Sequence, residues 1–417
     1  MRRQYPFSAV VGQEALKTAL ILCAVDPGIG GVLIQGHKGT AKTTTVRGVA
    51  SLIPGIKVRS GCRFNCDPSD SAELCEVCTS EDEELVTIPS PVVNLPLNLT
   101  EDRLVGSMDV SAALSRAERR FEPGLLAAAH RGILYVDEVN LLSDHLVDML
   151  LDVAASGENI VEREGMSFRH PSNFILVGTM NPEEGELRPQ FLDRFGLCVQ
   201  VSSVRDIEAR REIVRRRLSF ERDAEAFALE YSDEEDLLRR QISLARTRLA
   251  AVHIAEEAWD FAVRVAVNAG VQGHRAELTI MKTAVALAAF LERDEVRLRH
   301  VSEAARLVLP HRMKSSPFAD EEQTIADIDD LIAGAVGDEA LQTRVSEDEN
   351  GSTSESQAGS EGADGGDPNA VDWAPSEDGM YDIEAMAVPG QNAAGGIVFQ
   401  FLEKKNSQRH RRPARLK

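Results

Sequence analysis

Gly31-Val32-Leu33-Ile34-Gln35-Gly36-His37-Lys38-Gly39-Thr40-Ala41-Lys42-Thr43-Thr44 is the stretch that decides how the rest of the chain is read. Its first residues are apolar and predict a strand; a glycine-containing loop follows, and Lys42 opens a helix. In such a loop backbone N–H groups, the positive end of the helix and one lysine together hold a nucleoside triphosphate. Gly36 and Gly39 supply backbone freedom, and His37, Lys38 and Thr40 complete the cradle. Lys42 is expected to reach the β- and γ-phosphates, the Thr43 hydroxyl to meet Mg²⁺, and Thr44 to close the first helical turn. Ala41 stands where a glycine is usual, and as the start of a helix it is expected to cost little. ATP or GTP is the expected substrate.

Hydrolysis also needs a carboxylate near the metal and a base for water, at the end of a strand beside the first. Ile133-Leu134-Tyr135-Val136-Asp137-Glu138 provides an apolar strand, then Asp137 for Mg²⁺ and Glu138 for the water, about 95 residues beyond the loop lysine. Taken alone, an Asp-Glu pair after an apolar run is also what a solvated strand end looks like. A further strand ends in Thr179-Met180-Asn181-Pro182, which presents an amide toward the same water. Candidate strands at Val32–Gln35, Val92–Leu95, Ile133–Val136, Phe174–Gly178 and Leu197–Val201 alternate with helical segments, the mark of a parallel α/β sheet. From Asp206 to Leu309 the pattern turns helical throughout: Ile207–Leu218, Glu235–Ala250, Ala255–Ala269, Glu277–Arg293 and Glu295–Val308.

The chain has 417 residues, 43% of them hydrophobic, enough for two packed domains and a tail. Its net charge of −21 is unevenly spread. Residues 320–390 carry 20 acidic side chains against the single basic Arg344, residues 403–417 carry a net +6, and residues 1–319 keep about −8. A body this mildly acidic argues against nucleic acid as partner. Beyond Ser316 the composition predicts a disordered, self-repelling linker, since too little apolar surface is present to offset ordering entropy. The basic end, Lys404-Lys405 and Arg409-His410-Arg411-Arg412, suits an anionic partner or the acidic linker itself. No apolar run approaches the ~18 to 20 residues that cross a bilayer, and Met1-Arg2-Arg3-Gln4-Tyr5-Pro6 has no h-region, so a cytoplasmic protein is expected.

Six cysteines without a secretory signal argue against a disulfide framework. Cys62, Cys66, Cys75 and Cys78 form C-x₃-C-x₈-C-x₂-C, four thiols within 17 residues. The spacing suits a tetrahedral site, Zn²⁺ first and an iron–sulfur cluster second. A redox-switchable thiol pair and inert reduced thiols are the other readings. Cys23 and Cys198 lie in apolar contexts and read as buried residues.

Glu183 to Gly196, together with Glu122-Pro123-Gly124-Leu125-Leu126, Asp137 to Leu142 and Val161-Glu162-Arg163-Glu164-Gly165, resembles the AAA+ ATPase subunit of magnesium chelatase over about residues 5–318. The resemblance implies an α/β P-loop AAA+ core with a parallel sheet (1–203, with the cysteine loop at 60–80) and a small all-α lid domain (204–318); composition adds a disordered acidic linker (319–393) and a basic C-terminal segment (394–417). It implies MgATP sites between subunits of a ring, a hexamer, with Asn181 as first sensor, Arg194 as arginine finger, Arg275 as second sensor and Arg188 as a helper at the interface. Asp102–Phe121 and Asn159–His170 resemble the helix insertion and β-hairpin of this AAA+ branch. The implied partners are a second AAA+ subunit with an integrin-like domain and a large porphyrin-binding subunit. In that assembly ATP hydrolysis drives a divalent metal into a tetrapyrrole such as protoporphyrin, in chlorophyll, bacteriochlorophyll or cobalamin biosynthesis. The acidic linker resembles the one that leads to the integrin-like domain in the second AAA+ subunit and in fused cobalt-chelatase-like proteins, so magnesium and cobalt both stay open. The family says little of the four cysteines. A MoxR-like AAA+ chaperone that remodels a metalloprotein is the alternative, and a DNA-remodelling ATPase a more distant one.

Overall fold

The computed structural model of the chain describes residues 4–70, 75–79, 84–108, 121–163, 166–185, 187–313, 324, 326–335, 398, 399, 401 and 402. Five apolar runs become the strands β1 (Val32–Gly36), β2 (Val92–Leu95), β3 (Ile133–Val136), β4 (Ile175–Met180) and β5 (Leu197–Val201) of one parallel sheet in the order β5-β1-β4-β3-β2. Alternate side chains enter opposite layers. Val32, Ile34, Ile133, Val177 and Val199 join Leu16, Leu20, Val46 and Val49 of helices α1 (Glu14–Val25) and α2 (Lys42–Ala50). Leu33, Leu134, Val136, Leu176 and Cys198 join Leu146 and Leu150 of α3 (Asp144–Ser156). Burial of both faces is why the strands read as continuous apolar runs rather than alternating ones.

The helical region contains α4 (Ile207–Arg222), α5 (Ala224–Glu230), α6 (Ser232–Arg248), α7 (Glu256–Asn268), α8 (Arg275–Phe290) and α9 (Leu298–Val308). Asp206 starts α4 by accepting the Ala209 N–H at 2.7 Å, and Asp223 caps α5 through the Glu225 and Ala226 N–H groups. Phe261, Ile280, Leu287, Phe290 and Val301 are buried in the same cluster as α1, so this bundle rests on the sheet layer through a continuous core. Truncating a fully buried phenylalanine such as Phe261 to alanine costs about 3–5 kcal/mol. Polar ties fix the docking: Glu235 accepts from the Ser8 N–H and hydroxyl at 2.8 and 2.9 Å, Arg246 donates to the Ala24 carbonyl at 2.7 Å, and Lys282 to that of Gly28 at 2.9 Å.

Two expectations change. Glu295–Val296 is a short strand paired with His253–Ile254, so the last helix starts at Leu298 rather than Glu295. Within the segment expected to be unstructured, residues 326–335 are helical and bury Ile328, Ile332 and Ala335 in the main core, while Asp329 pairs with Arg306 at 2.8 Å. The three apolar residues recur at helical spacing, a stripe that the acidic average conceals. Val398 and Leu402 are buried in the same core, and the Phe399 ring lies 4.6 Å from the buried Lys17 ammonium. The remainder of the acidic linker, and residues 403–417, lie outside the described residues.

Three antiparallel pairs flank the sheet: Ile56–Arg59 with Leu85–Ile88, Gly106–Met108 with Phe121–Pro123, and Glu158–Arg163 with Met166–Pro171. The last contains the hairpin expected at Asn159–His170. Of Asp102–Phe121, the described residues are a helical turn, Glu101–Val105, and the strand pair; 109–120 lie outside them.

Candidate functional site

β1 runs directly into the phosphate loop. A Cβ on Gly36 would stand 2.3 Å from the Val201 carbonyl oxygen, and Gly39 has φ +87°, so both positions need glycine. Ala41 corrects an expectation. It precedes the helix with φ +63° and ψ +16°, in the left-handed region, where a Cβ costs about 1–2 kcal/mol rather than little. The Thr45 N–H bonds the Ala41 carbonyl at 3.0 Å, and helix geometry leaves the N–H groups of Lys42, Thr43 and Thr44 without intrahelical acceptors. Lys42 folds across the loop and donates to the carbonyls of Gly36 and, at 3.3 Å, His37. Desolvation holds its pKa below the ordinary lysine value, against the opposing pull of Asp137, Glu138 and Glu184.

The carboxyl ends of β1, β3 and β4 bring the remaining groups together. Tyr135 Oη lies 2.9 Å from Thr43 Oγ1 and donates to Asp137 Oδ1 at 3.0 Å. Thr179 Oγ1 donates to the same oxygen at 2.7 Å and accepts the Glu138 N–H at 3.0 Å. Burial pushes the Tyr135 pKa up to about 12, so the phenol keeps its proton. Glu138 itself sits at φ +53°, a left-handed torsion at the residue that follows Asp137. The Lys38 ammonium reaches Glu184 at 2.7 Å and Glu138 at 3.2 Å; these hydrogen bonds raise the Lys38 pKa and lower that of Glu184. Asn181 is buried just past β4, where its Oδ1 accepts the Glu183 N–H at 3.4 Å. Since Gly178 pairs with Val136, Asn181 leaves the sheet alongside Asp137 and Glu138. His37 lies 3.5 Å from Glu183.

The three arginines lie elsewhere. Arg188 pairs with Asp144 at the start of α3. Arg194, half-buried after the turn Pro189–Leu192, has no ion-pair partner among the described residues. Arg275, the first residue of α8, is 2.8 Å from Asp193 and so engages the residue next to Arg194 rather than the phosphate loop.

Sequence reasoning missed Tyr135 and Thr179. The signal was present: a hydroxyl inside the apolar run Ile133-Leu134-Tyr135-Val136, two residues before Asp137, and another two before Asn181. It also missed a cavity of about 340 Å³ beside the loop, walled by Tyr5, Val10, Val11, Thr40, Ile213 and Val214. Apolar walls next to a phosphate cradle suit a planar nucleobase.

The four clustered cysteines belong to a small hydrophobic cluster separate from the two main cores. Their sulfurs all lie within 4.8 Å of one another, Cys62 and Cys75 at 3.8 Å, with Cys66 and Cys78 buried. The hydrogen bond from Cys66 draws the Cys62 pKa down to about 4 and drives that of Cys66 upward, while burial first, then the neighbouring thiols, push Cys78 up to about 12. Cys23 and Cys198 are buried in apolar surroundings, and burial raises both thiol pKa values.

A β5-β1-β4-β3-β2 sheet with a phosphate loop after its first strand, an acidic pair after its third and a helical lid is that of an AAA+ P-loop ATPase. Residues 6–190 match the family model for magnesium chelatase subunit ChlI, and residues 260–331 that for the AAA lid domain. The chain belongs to the magnesium chelatase ChlI family. It is 50% identical to a magnesium-chelatase subunit ChlI homolog of Methanocaldococcus jannaschii, over 76% of this chain and 88% of that one. It is 48% identical to the magnesium-chelatase 38 kDa subunit of Cereibacter sphaeroides, over 80% of this chain and 99% of that one. A crystal structure of a putative ATPase from Cytophaga hutchinsonii shares the fold at TM-score 0.51 and 18% identity, over 77% and 89% of the two chains. Among the described residues, no helix is long and apolar enough to cross a membrane.

Proposed function

We propose that this chain is the ATP-hydrolysing motor of a chelatase that inserts Mg²⁺, or Co²⁺, into a tetrapyrrole such as protoporphyrin. The observation that carries the reading is the convergence of Lys42, Thr43, Asp137, Glu138 and Asn181 at the carboxyl ends of β1, β3 and β4, in a chain about half identical to named magnesium-chelatase subunits. Lys42 and the N–H groups of the loop from Gly36 to Thr44 bind the triphosphate; Thr43 and Asp137 would hold the Mg²⁺ that accompanies it, and that ion would supply neutralising charge for the phosphoryl group. Glu138 takes the proton of the attacking water, and Asn181 orients that water. Arg194 reaches the nucleotide of the next subunit, Arg188 supports that interface, and Arg275 senses the nucleotide once it leaves Asp193. An arginine supplied across an interface is worth ~10³ to 10⁵ in rate. That division of labour requires a ring, here a hexamer, in which residues 1–203 cradle ATP and the lid, 204–318, moves with it.

The ring's partners in this reading are a second AAA+ subunit with an integrin-like domain and a large porphyrin-binding subunit, and the assembly works in the cytoplasm. The four cysteines hold a metal, zinc or an iron–sulfur cluster, apart from the nucleotide. The test combines the purified chain with both candidate partners, ATP, Mg²⁺ and protoporphyrin, and follows insertion by porphyrin fluorescence. Insertion that requires ATP and all three chains supports the reading. ATP hydrolysis without insertion, coupled instead to activation of a metalloprotein client, sinks it in favour of a MoxR-like remodeller.

A further inference from the structure

The cysteine knuckle packs against two strand pairs that lie outside the five-stranded sheet. Phe64, between Cys62 and Cys66, packs against Phe121, Phe168 and His170 at centroid distances of 6.4, 5.6 and 5.2 Å. Phe121 belongs to the pair Gly106–Met108/Phe121–Pro123, whereas Phe168 and His170 belong to the hairpin Glu158–Arg163/Met166–Pro171. Below the knuckle, Asn65 donates to the Ala128 carbonyl at 3.1 Å. Arg131 donates to the carbonyls of Lys57 and Cys66 at 2.8 and 3.2 Å and pairs with Asp67 at 2.9 Å. Arg131 lies two residues before β3, the strand that ends at Asp137 and Glu138.

What holds the knuckle is not burial. Among the described residues its own cluster contains Phe64, Cys66, Cys78 and Ala127 as buried members, with Cys62, Cys75, Phe121 and Phe168 packed against them, separate from both main cores. At about 25 cal/mol per Å² these few side chains supply too little to offset the ordering of the described loop residues, 62–70 and 75–78, at about 1 kcal/mol or more per residue. A cross-link supplies the difference. Four sulfurs about a tetrahedral Zn²⁺, with Zn–S near ~2.3 Å, lie about 3.8 Å apart, the separation of Cys62 from Cys75, and all four here fall within 4.8 Å. A four-iron cluster holds its thiolates further apart, because irons and sulfides stand between them.

We propose that Cys62, Cys66, Cys75 and Cys78 bind one Zn²⁺, and that this ion rivets both hairpin segments to the strand carrying Asp137 and Glu138. This deepens the metal reading of the cysteines and does not depend on the chelatase reading. On binding, the thiols that still carry a proton release it to solvent and no electron is transferred, so the site is structural. Removing the ion frees the aromatic contacts of Phe64 and loosens the hairpins, while the sheet stays intact.

The experiment uses the full chain, purified anaerobically. Metal analysis is expected to find about one zinc per chain with iron near zero, and Co²⁺ exchanged into the site gives the visible bands of a tetrahedral thiolate complex. Chelation of the wild-type protein is expected to speed amide exchange at least ~10-fold at Val161 and Phe168 while leaving Leu33 and Val177 protected, with reversal on zinc return. Cys75→Ser and Cys62→Ser lose the metal and show the same exchange pattern. A protein that holds no metal and takes up neither Zn²⁺ nor Co²⁺ overturns the metal reading itself. Iron with its charge-transfer absorption overturns zinc, and bound zinc whose removal leaves hairpin exchange unchanged overturns the rivet.

Discussion

The hydroxyls of Thr43 and Tyr135 lie 2.9 Å apart, so the phosphate loop and the acidic strand are joined by a phenol that also donates to Asp137. On the proposed reading Thr43 and Asp137 share one Mg²⁺, and Tyr135 fixes the spacing between them. Groups that orient metal ligands are typically worth about 10- to 100-fold in metal affinity. Tyr135→Phe keeps the ring and loses only the hydroxyl, so the Mg²⁺ concentration for half-maximal ATPase activity is expected to rise about 10-fold. An unaltered Mg²⁺ dependence removes Tyr135 from the site.

Glu138 sits in a left-handed backbone turn, and its carboxylate lies 3.2 Å from the Lys38 ammonium. Glu138→Gln preserves shape and removes the base. ATP binding is expected to stay within a few-fold of wild type while turnover falls about 10² to 10⁴-fold, the usual worth of a general base. Binding is read by titration with a fluorescent nucleotide and turnover by phosphate release; wild-type turnover in this variant ends the assignment.

How much of this was legible in the sequence depended on whether the relationship was local. The loop from Gly36 to Thr44 and the pair Asp137-Glu138 announce themselves because their spacing is set by one turn or one strand end. The strand runs were legible too, since β1 and β3 are buried on both faces. Ala41 was misread because a left-handed torsion leaves no mark on composition. Tyr135 looked like core, and most of it is; only pairing in space brings its hydroxyl to Thr43. The base cavity joins Val10 and Val11 to Ile213 and Val214 across some 200 residues, a juxtaposition that no local pattern records. Ile328, Ile332 and Ala335 were hidden by the acidic residues around them.

Arg194 has no ion-pair partner among the described residues, unlike Arg275 and Arg188. As a finger for the neighbouring site, it is lost to its own ring in Arg194→Ala, with an expected drop of about 10³-fold or more. Lys42→Ala subunits lack the cradle and keep the finger. In an equimolar random ring about a quarter of the interfaces pair an intact cradle with an intact finger, so activity returns on mixing two dead proteins. Absence of recovery at every ratio argues against shared sites.

Ala41 is strained by its φ of +63°. Ala41→Gly relieves about 1–2 kcal/mol in the folded loop, while glycine's extra freedom in the unfolded chain takes back about 0.4–1 kcal/mol. The net expectation is a gain of about 0.5–1 kcal/mol, seen as a rise of about 2 °C in the nucleotide-free melting temperature. A lower melting temperature would show that the loop depends on the methyl group.

Two histidines make the fold acid-sensitive. His300 is fully buried and accepts the Arg297 N–H on Nδ1 at 3.0 Å; desolvation, aided by Arg299, Arg293 and Arg297, lowers its pKa to about 3. His130 is buried and accepts the Asn173 N–H at 3.0 Å; desolvation, with Arg131 and His170, lowers its pKa to about 4. Both titrate lower in the folded chain than at the ordinary value near 6.5, so the unfolded chain takes the proton first. The stability they contribute is complete above about 6.5 and is lost as pH falls toward the folded values. At pH 5 the loss is about 2 kcal/mol for each. Glu234 and the buried Glu235, whose pKa values are raised by desolvation, oppose this trend as they take up protons in the folded state. The readout is therefore a difference between variants: His300→Asn keeps an acceptor for the Arg297 N–H at every pH and lowers stability by a constant amount. Urea unfolding at pH 7 and pH 5 is expected to show wild type losing about 2 kcal/mol more than the variant. Equal losses in the two proteins would mean that His300 is protonated in the folded state and that its buried hydrogen bond is not what acid breaks.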